Sequence, residues 1–85
     1  MTDGVLVSIK VENGKYEEDF EIPLNIKAEN WIETIKVYFV QKRIIPESLM
    51  SEKLIITYNN HIIQDSDTLM KLGVADGSVL SVGWR

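Results

Sequence analysis

The chain has no cysteine among its 85 residues, one histidine and two prolines. Without thiols there is no disulfide staple, no thiolate metal site and no cysteine nucleophile, a composition that suits a reducing cytoplasm. The lone histidine, His61, has no positioned nucleophile or second ligand in its neighbourhood of sequence, so it builds neither a triad nor a metal centre. Asp65 and Asp67 carry the one-residue spacing of calcium loops, but the Gly and terminal Glu such loops need are missing. No apolar run approaches the ~18 residues of a membrane span, and MTDGVLVSIK lacks the basic-then-apolar order of a secretory leader. Basic residues are outnumbered, 9 against 13 acidic, for a net charge of −4. That balance argues against a grip on phosphate backbones, which needs clustered Lys and Arg. The expectation is a soluble, cytoplasmic chain forming one domain over residues 1–85, with no nucleic-acid partner, metal, cofactor or inserted membrane segment.

What is present is an ordinary globular composition, 45% hydrophobic and 26% charged, enough for one core but too little chain to enclose a large substrate. Val5, Val7, Ile9 and Val11 alternate with Ser8 and Lys10, the signature of a half-buried strand. Asn13-Gly14 then supplies the dipeptide best suited to a type I′ hairpin turn. The returning strand sets Tyr16, Phe20 and Ile22 on one face and Glu17, Asp19 and Glu21 on the other. Glu18 breaks the inner face, which places it near a frayed end or beside a lysine. Pro23 cannot donate to a ladder, so this strand ends there and lies at a sheet edge.

After Leu24 to Lys27 the period changes to about 3.6, with Trp31, Ile32, Ile35, Tyr38 and Phe39 on one stripe. Glu29 and Glu33 come early and Lys36, Lys42 and Arg43 late, the order that complements a helix dipole. Pro46 is expected to stop this helix by displacing its predecessor from the α region. A polar stretch, Glu47 to Lys53, leads to a strand from Leu54 to Tyr58. Asn59-Asn60 turns the chain into a short strand at Ile62 and Ile63. Thr68 to Leu72 reads as one helical turn closed by Gly73, and Asp76-Gly77 bends into a last strand, Ser78 to Trp84, with Leu80, Val82 and Trp84 inward.

The order strand, strand, helix, strand, strand, short helix, strand gives an α+β domain with one long helix across one face of a five-stranded mixed sheet. The cleanest alternation belongs to the first and last strands, which are therefore placed side by side and parallel in the sheet centre, a β-grasp. From Tyr58 onward, YNNHIIQDSDTLMKLGVADGSVLSV resembles the ubiquitin superfamily's succession of aromatic, tight turn, short strand, Thr-Leu, helical turn and alternating last strand. Within that superfamily YEEDFEIPLNIKAENWIETI looks most like the small YukD-like proteins encoded with type VII secretion systems of Gram-positive bacteria. The resemblance implies a cytoplasmic accessory that docks on protein components of the secretion machinery and is not an enzyme.

The resemblance also points to a binding surface on the open sheet face. Its centre falls on Thr57, with Ser81 and Gly83 on the last strand, residues too small or polar to reproduce ubiquitin's apolar patch. Leu6, Ile55 and Val79 are outward aliphatic residues on the same face, so Leu6, Ile55, Thr57, Val79 and Ser81 form the candidate protein-binding set. The acidic run Glu17, Glu18, Asp19, Glu21 has two readings, rim charge for a basic partner or protection of an edge strand against aggregation, and the edge position favours the second. Trp31 is either the largest core anchor or a partly exposed contact, and its place on the stripe favours the core. Gly83-Trp84-Arg85 offers no terminal Gly-Gly to be adenylated or joined to lysine. Covalent use as a modifier or sulfur carrier is accordingly the second reading, and a detached regulatory domain of a longer protein the third.

Overall fold

The structure, a computed structural model, describes residues 4–11 and 15–84. The expected Asn13-Gly14 turn and the last residue lie outside that range. Among the described residues the chain runs β1 (Gly4–Val11), β2 (Tyr16–Pro23), α1 (Ala28–Gln41), a 3-10 turn (Glu47–Ser51), β3 (Ile55–Tyr58), β4 (His61–Ile62), α2 (Leu69–Leu72) and β5 (Ser78–Gly83). The strands form one mixed sheet in the order β2-β1-β5-β3-β4. β1 and β5 are the parallel pair, with Ile9 opposite Leu80, as their continuous alternation requires. β2 is an outer strand, antiparallel to β1 with Leu6 opposite Glu21 and Val11 opposite Tyr16.

Alternation decides which side each strand buries, because successive side chains point to opposite faces. Val5, Val7, Ile9 and Val11 of β1, Ile56 of β3 and Leu80 and Val82 of β5 all face α1 and are buried. Against them α1 lays Ala28, Trp31, Ile32, Ile35 and Phe39. Phe39 is the centre of an aromatic group, with Tyr16, Phe20 and Tyr38 meeting its ring edge-on at centroid distances of 5.9, 5.7 and 5.7 Å.

The ends of α1 follow rules that are not those expected. Its N-cap, Lys27, makes no side-chain cap. Instead the first free N–H groups find backbone acceptors in the loop before α2, Ala28 N to Asp67 O at 2.8 Å and Glu29 N to Asp65 O at 3.1 Å. At the other end Pro46 is not the terminator. The helix closes at Gln41 through a Schellman arrangement, Ile44 N to Phe39 O and Arg43 N to Val40 O, both 2.9 Å, with Arg43 left-handed at φ 63°. Pro46 instead caps the 3-10 turn, which lies inside the stretch read as polar and sends Leu49 into the core.

The turns behave as their residues dictate. Asn59 and Asn60 take φ of 49° and 64° between β3 and β4, the doubly left-handed geometry that asparagine tolerates. Thr68 Oγ1 accepts from Lys71 N at 3.2 Å to start α2, and Gly73 at φ 75° ends it.

Candidate functional site

The face of the sheet turned away from α1 carries the candidate residues, and the strand register fixes how they are arrayed. Leu6 and Val79 are about half exposed, at 49% and 43%. Ser8 is opposite Val79 and Lys10 opposite Ser81, so Leu6 lies diagonally one row from Val79. Ser81 in turn faces Thr57, and Gly83 faces Ile55. The row Lys10, Ser81, Thr57 therefore runs across the middle of the face and separates Val79 from Ile55. The expected set shares one face, but its three aliphatic members do not touch in a single cluster.

Leu6 is held firmly despite its exposure. Its N–H donates to Asp76 Oδ1 at 2.9 Å, and its carbonyl accepts from Gly77 N at 2.8 Å. Asp76-Gly77 is thus more than a bend. It clamps β1 where β5 begins, with Gly77 at φ 89°, and keeps Leu6 beside Val79.

The opposite end of the face gains a residue that alternation alone does not single out. Two adjacent isoleucines follow the Asn59-Asn60 turn, and sequence gives no sign of which is outward. Register does: Ile62 pairs with Thr57, shares its face and is 51% exposed, while Ile63 is buried. Ile55 and Ile62 continue around the sheet's end into a groove of about 360 Å³ whose walls include Leu54, Ile63 and Trp84. Trp84 packs partly buried against the core, as its inward parity predicts. Lys53 Nζ and Asp65 Oδ1 close to 2.7 Å, an exposed pair of small energetic weight.

Two polar clusters organise the helix side. Glu18, the inner-face exception, is not at a frayed end: the hydroxyls of Tyr16 and Tyr38 both donate to its carboxylate. Lys42, over the Tyr38 ring at 5.2 Å, adds a cation, so the lysine half of the expectation holds. The Tyr16 hydrogen bond, followed by that of Tyr38, keeps the Glu18 carboxyl below its usual range, while the same bond pushes Tyr16 up to about 12. Lys36 is the second cluster. It is 5% exposed, and its Nζ donates to Glu52 O at 2.7 Å and meets Glu33 Oε2 at 2.9 Å. A signal for this was present, since Lys36 stands four residues after Ile32 and three before Phe39, on the apolar stripe.

His61 lies in β4 and not in the turn before it. Its Nε2 is 3.3 Å from Asp67 Oδ2, and Gln64 N donates to the same oxygen at 2.7 Å. That backbone donor, then His61, lowers the Asp67 carboxyl below its ordinary range. The arrangement braces the loop that caps α1. Trp31, 5% exposed, is a core residue whose Nε1 has no acceptor among the described residues, a state that costs about 1–3 kcal/mol for a buried donor. Among the described residues no helix is long and apolar enough to cross a membrane, and no His, Asp and Glu grouping is placed to hold a metal ion.

This geometry is that of a ubiquitin-like β-grasp. The chain is similar to an N-terminal ubiquitin-like domain solved in solution, at 21% identity over 100% of this chain and 78% of that one, with a TM-score of 0.76. It is also similar to the ubiquitin of Caldiarchaeum subterraneum, at 20% identity over 96% and 94% of the two chains and a TM-score of 0.66. A designed protein based on ubiquitin matches at 18% identity over 98% and 90%, with a TM-score of 0.70. No protein-family model and no curated protein matches this chain. At these identities the likeness establishes the fold, a ubiquitin-like module, and function has to be argued from the surface.

Proposed function

We propose that this ubiquitin-like module works by non-covalent docking of a protein partner on its open sheet face, without catalysis, as a cytoplasmic accessory of a bacterial type VII secretion system. The observation that carries the docking reading is the aliphatic exposure on this face, Leu6 beside Val79 and, on the outer strand β4, Ile62, with Ile55 half-buried near it. Exposed apolar side chains around a row of polar ones suit a partner that buries the aliphatic groups and hydrogen-bonds between them. Thr57, Ser81 and Lys10 supply those central polar groups. The secretion-system reading rests on the resemblance of the segment from Tyr16 to Ile35 to YukD-like proteins.

The test is direct binding, by calorimetry, of the purified protein to the cytosolic domains of the secretion ATPase encoded in the same genome. Binding that weakens at least about tenfold in Val79→Asp, the loss of one central contact, supports the reading. Absence of binding to every cytosolic component removes the secretion assignment. A C-terminal adenylate seen by mass spectrometry after incubation with ATP and an activating enzyme would replace docking by covalent use.

A further inference from the structure

Strand register divides the open face into an acidic side and a neutral one. Glu17, Asp19 and Glu21 are exposed along β2, and the antiparallel ladder sets Glu21 opposite Leu6 and Asp19 opposite Ser8. Ser8 is in turn opposite Val79. The exposed aliphatic residues Leu6 and Val79 therefore have carboxylates along their β2 side. Asp76, in the bend before β5, adds another next to Leu6, whose N–H it accepts. Among the described residues the two strand rows through Leu6 and Val79 bear no lysine or arginine. Lys10 lies one row further on, opposite Glu17. Across the polar row, Ile55, Thr57 and Ile62 carry no charge.

Two of these carboxylates are held in place by neutral donors. Asp19 Oδ1 accepts from Ser8 Oγ at 2.7 Å, and Asp76 Oδ1 accepts from Leu6 N at 2.9 Å. Among the described residues neither aspartate closes an ion pair. Positioned negative charge beside exposed aliphatic groups decides which partner fits. A phosphate-bearing surface, nucleic acid or anionic lipid, is repelled. A second copy of this chain, set against the first through the same corner, brings carboxylates to carboxylates, which is costly. A protein surface with arginine beside an aliphatic side chain meets both halves, because the guanidinium fork matches carboxylates while its stem covers apolar surface.

We infer that the partner of the open face docks through the corner formed by Leu6, Val79, Asp19, Glu21 and Asp76, and that it presents an aliphatic anchor accompanied by arginine. This rests on the docking reading and specifies the partner's chemistry. Val79 and Asp19 stand two strand spacings apart, about 10 Å, so the anchor and the cation come from separate side chains of the partner. The footprint is displaced toward β1 and β2 from Thr57, where the resemblance to ubiquitin would centre it.

The experiment is an NMR titration of nitrogen-15-labelled protein with three synthetic peptides of equal length, alternating Leu-Arg, Leu-Glu and Gly-Arg. The Leu-Arg peptide is expected to shift the amides of residues 5–8, 17–21 and 76–80. Leu-Glu should bind at least about tenfold more weakly, a difference that shrinks as added salt screens the charges. The double variant Asp19→Asn with Glu21→Gln keeps side-chain size, removes two charges and should weaken Leu-Arg binding about fivefold. Val79→Ser leaves the charge untouched and should weaken it by about the same factor. Both variants should keep native spectra, since all three positions are exposed. Equal binding of Leu-Arg and Leu-Glu overturns the inference, as does equal binding of Leu-Arg and Gly-Arg, which would be charge attraction alone. Shifts confined to β2, shifts centred on Thr57 and Ile62, or no binding of any peptide overturn it as well. The docking reading fails separately, when no cytosolic component binds in calorimetry. A component whose binding is weakened by Val79→Asp and untouched by the double variant overturns the inference while docking stands.

Discussion

Replacing Lys36 by methionine keeps the aliphatic stem among its neighbours and deletes the ammonium, so it isolates the hydrogen bond from Lys36 Nζ to Glu52 O. The carbonyl then loses a charged donor close to the core. The expected cost is about 1–3 kcal/mol, or a fall of ~4–8 °C in melting temperature per kcal/mol for a domain of this size. Glu33→Gln, by contrast, should change little, because its carboxylate is largely exposed and solvent screens it. Circular dichroism melts of the two variants decide the matter, and equal losses would show that the ion pair, not the carbonyl, is what Lys36 serves. The charge order along the helix accounts for Lys36 in sequence without naming a partner for it. Its partner sits sixteen residues further on, and no local pattern announces that a 3-10 turn will bring that carbonyl back. Glu18 is similar. Its mismatch with the inner face was legible, but the two phenols that resolve it come from β2 itself and from α1. Its carboxyl is lowered, so its contribution is complete above the ordinary carboxylate range and is lost as pH falls through the folded value. Tyr16, raised to about 12, contributes fully below the ordinary phenol value near 10 and loses that as pH rises through its folded value. The melting temperature should therefore be flat between these limits and fall on both sides. Glu18→Gln should make both limbs shallower. An unchanged alkaline limb would show that Tyr16 does not draw its shift from Glu18.

At the scale of elements, strands were far more legible than helix ends. A strand's period of two survives any context in which one face is buried, which is why β1, β2, β3 and β5 all place the expected residues inward. A helix end is a backbone decision made within one turn. Here it is made by Arg43 in a left-handed conformation, a residue type that carries no such signature, so Pro46 stood out in its place. Because a non-glycine residue pays roughly 1–2 kcal/mol for that conformation, Arg43→Gly should stabilise the domain by up to about 1 kcal/mol after the greater freedom of glycine in the unfolded chain is counted. Gly73 is the converse case. A Cβ there would meet nothing within 4 Å, yet its φ is +75°, so Gly73→Ala should cost about 1–2 kcal/mol through the backbone alone. Urea denaturation of the two variants checks both signs. If Gly73→Ala is neutral, the end of α2 must be able to relax, and the hydrogen bond from Val74 N to Leu69 O at 3.1 Å would be the place to see it.

The whole molecule divides along its sheet into a side that folds the chain and a side that is free to bind. The parallel pairing of β1 with β5 joins the two ends of the described chain, and among the described residues no helix covers the face turned away from α1. That division was legible from alternation, whereas the distribution of aliphatic groups over the free face was not, since it depends on how far β3 and β5 are staggered. The sharpest check uses neighbours of opposite parity on one strand. Ile56 is wholly buried, and Ile56→Asp would place a carboxylate in the core without a partner, a loss of several kcal/mol. Against a total stability of about 4–12 kcal/mol for a domain of this length, that variant should be largely unfolded at room temperature. Ile55 is half-buried at the rim of the groove, so Ile55→Asp should cost no more than about 1 kcal/mol in this host, and Val79→Asp on the open face less. All three add the same charge, so net charge cannot account for a difference among them. If Ile55→Asp collapses the fold as Ile56→Asp does, the groove end of the free face belongs to the core, and partner contact there would have to be transferred to Leu6 and Val79. If it melts near the native temperature and loses its partner, the bound surface extends across the Lys10, Ser81, Thr57 row from Leu6 and Val79 to Ile55.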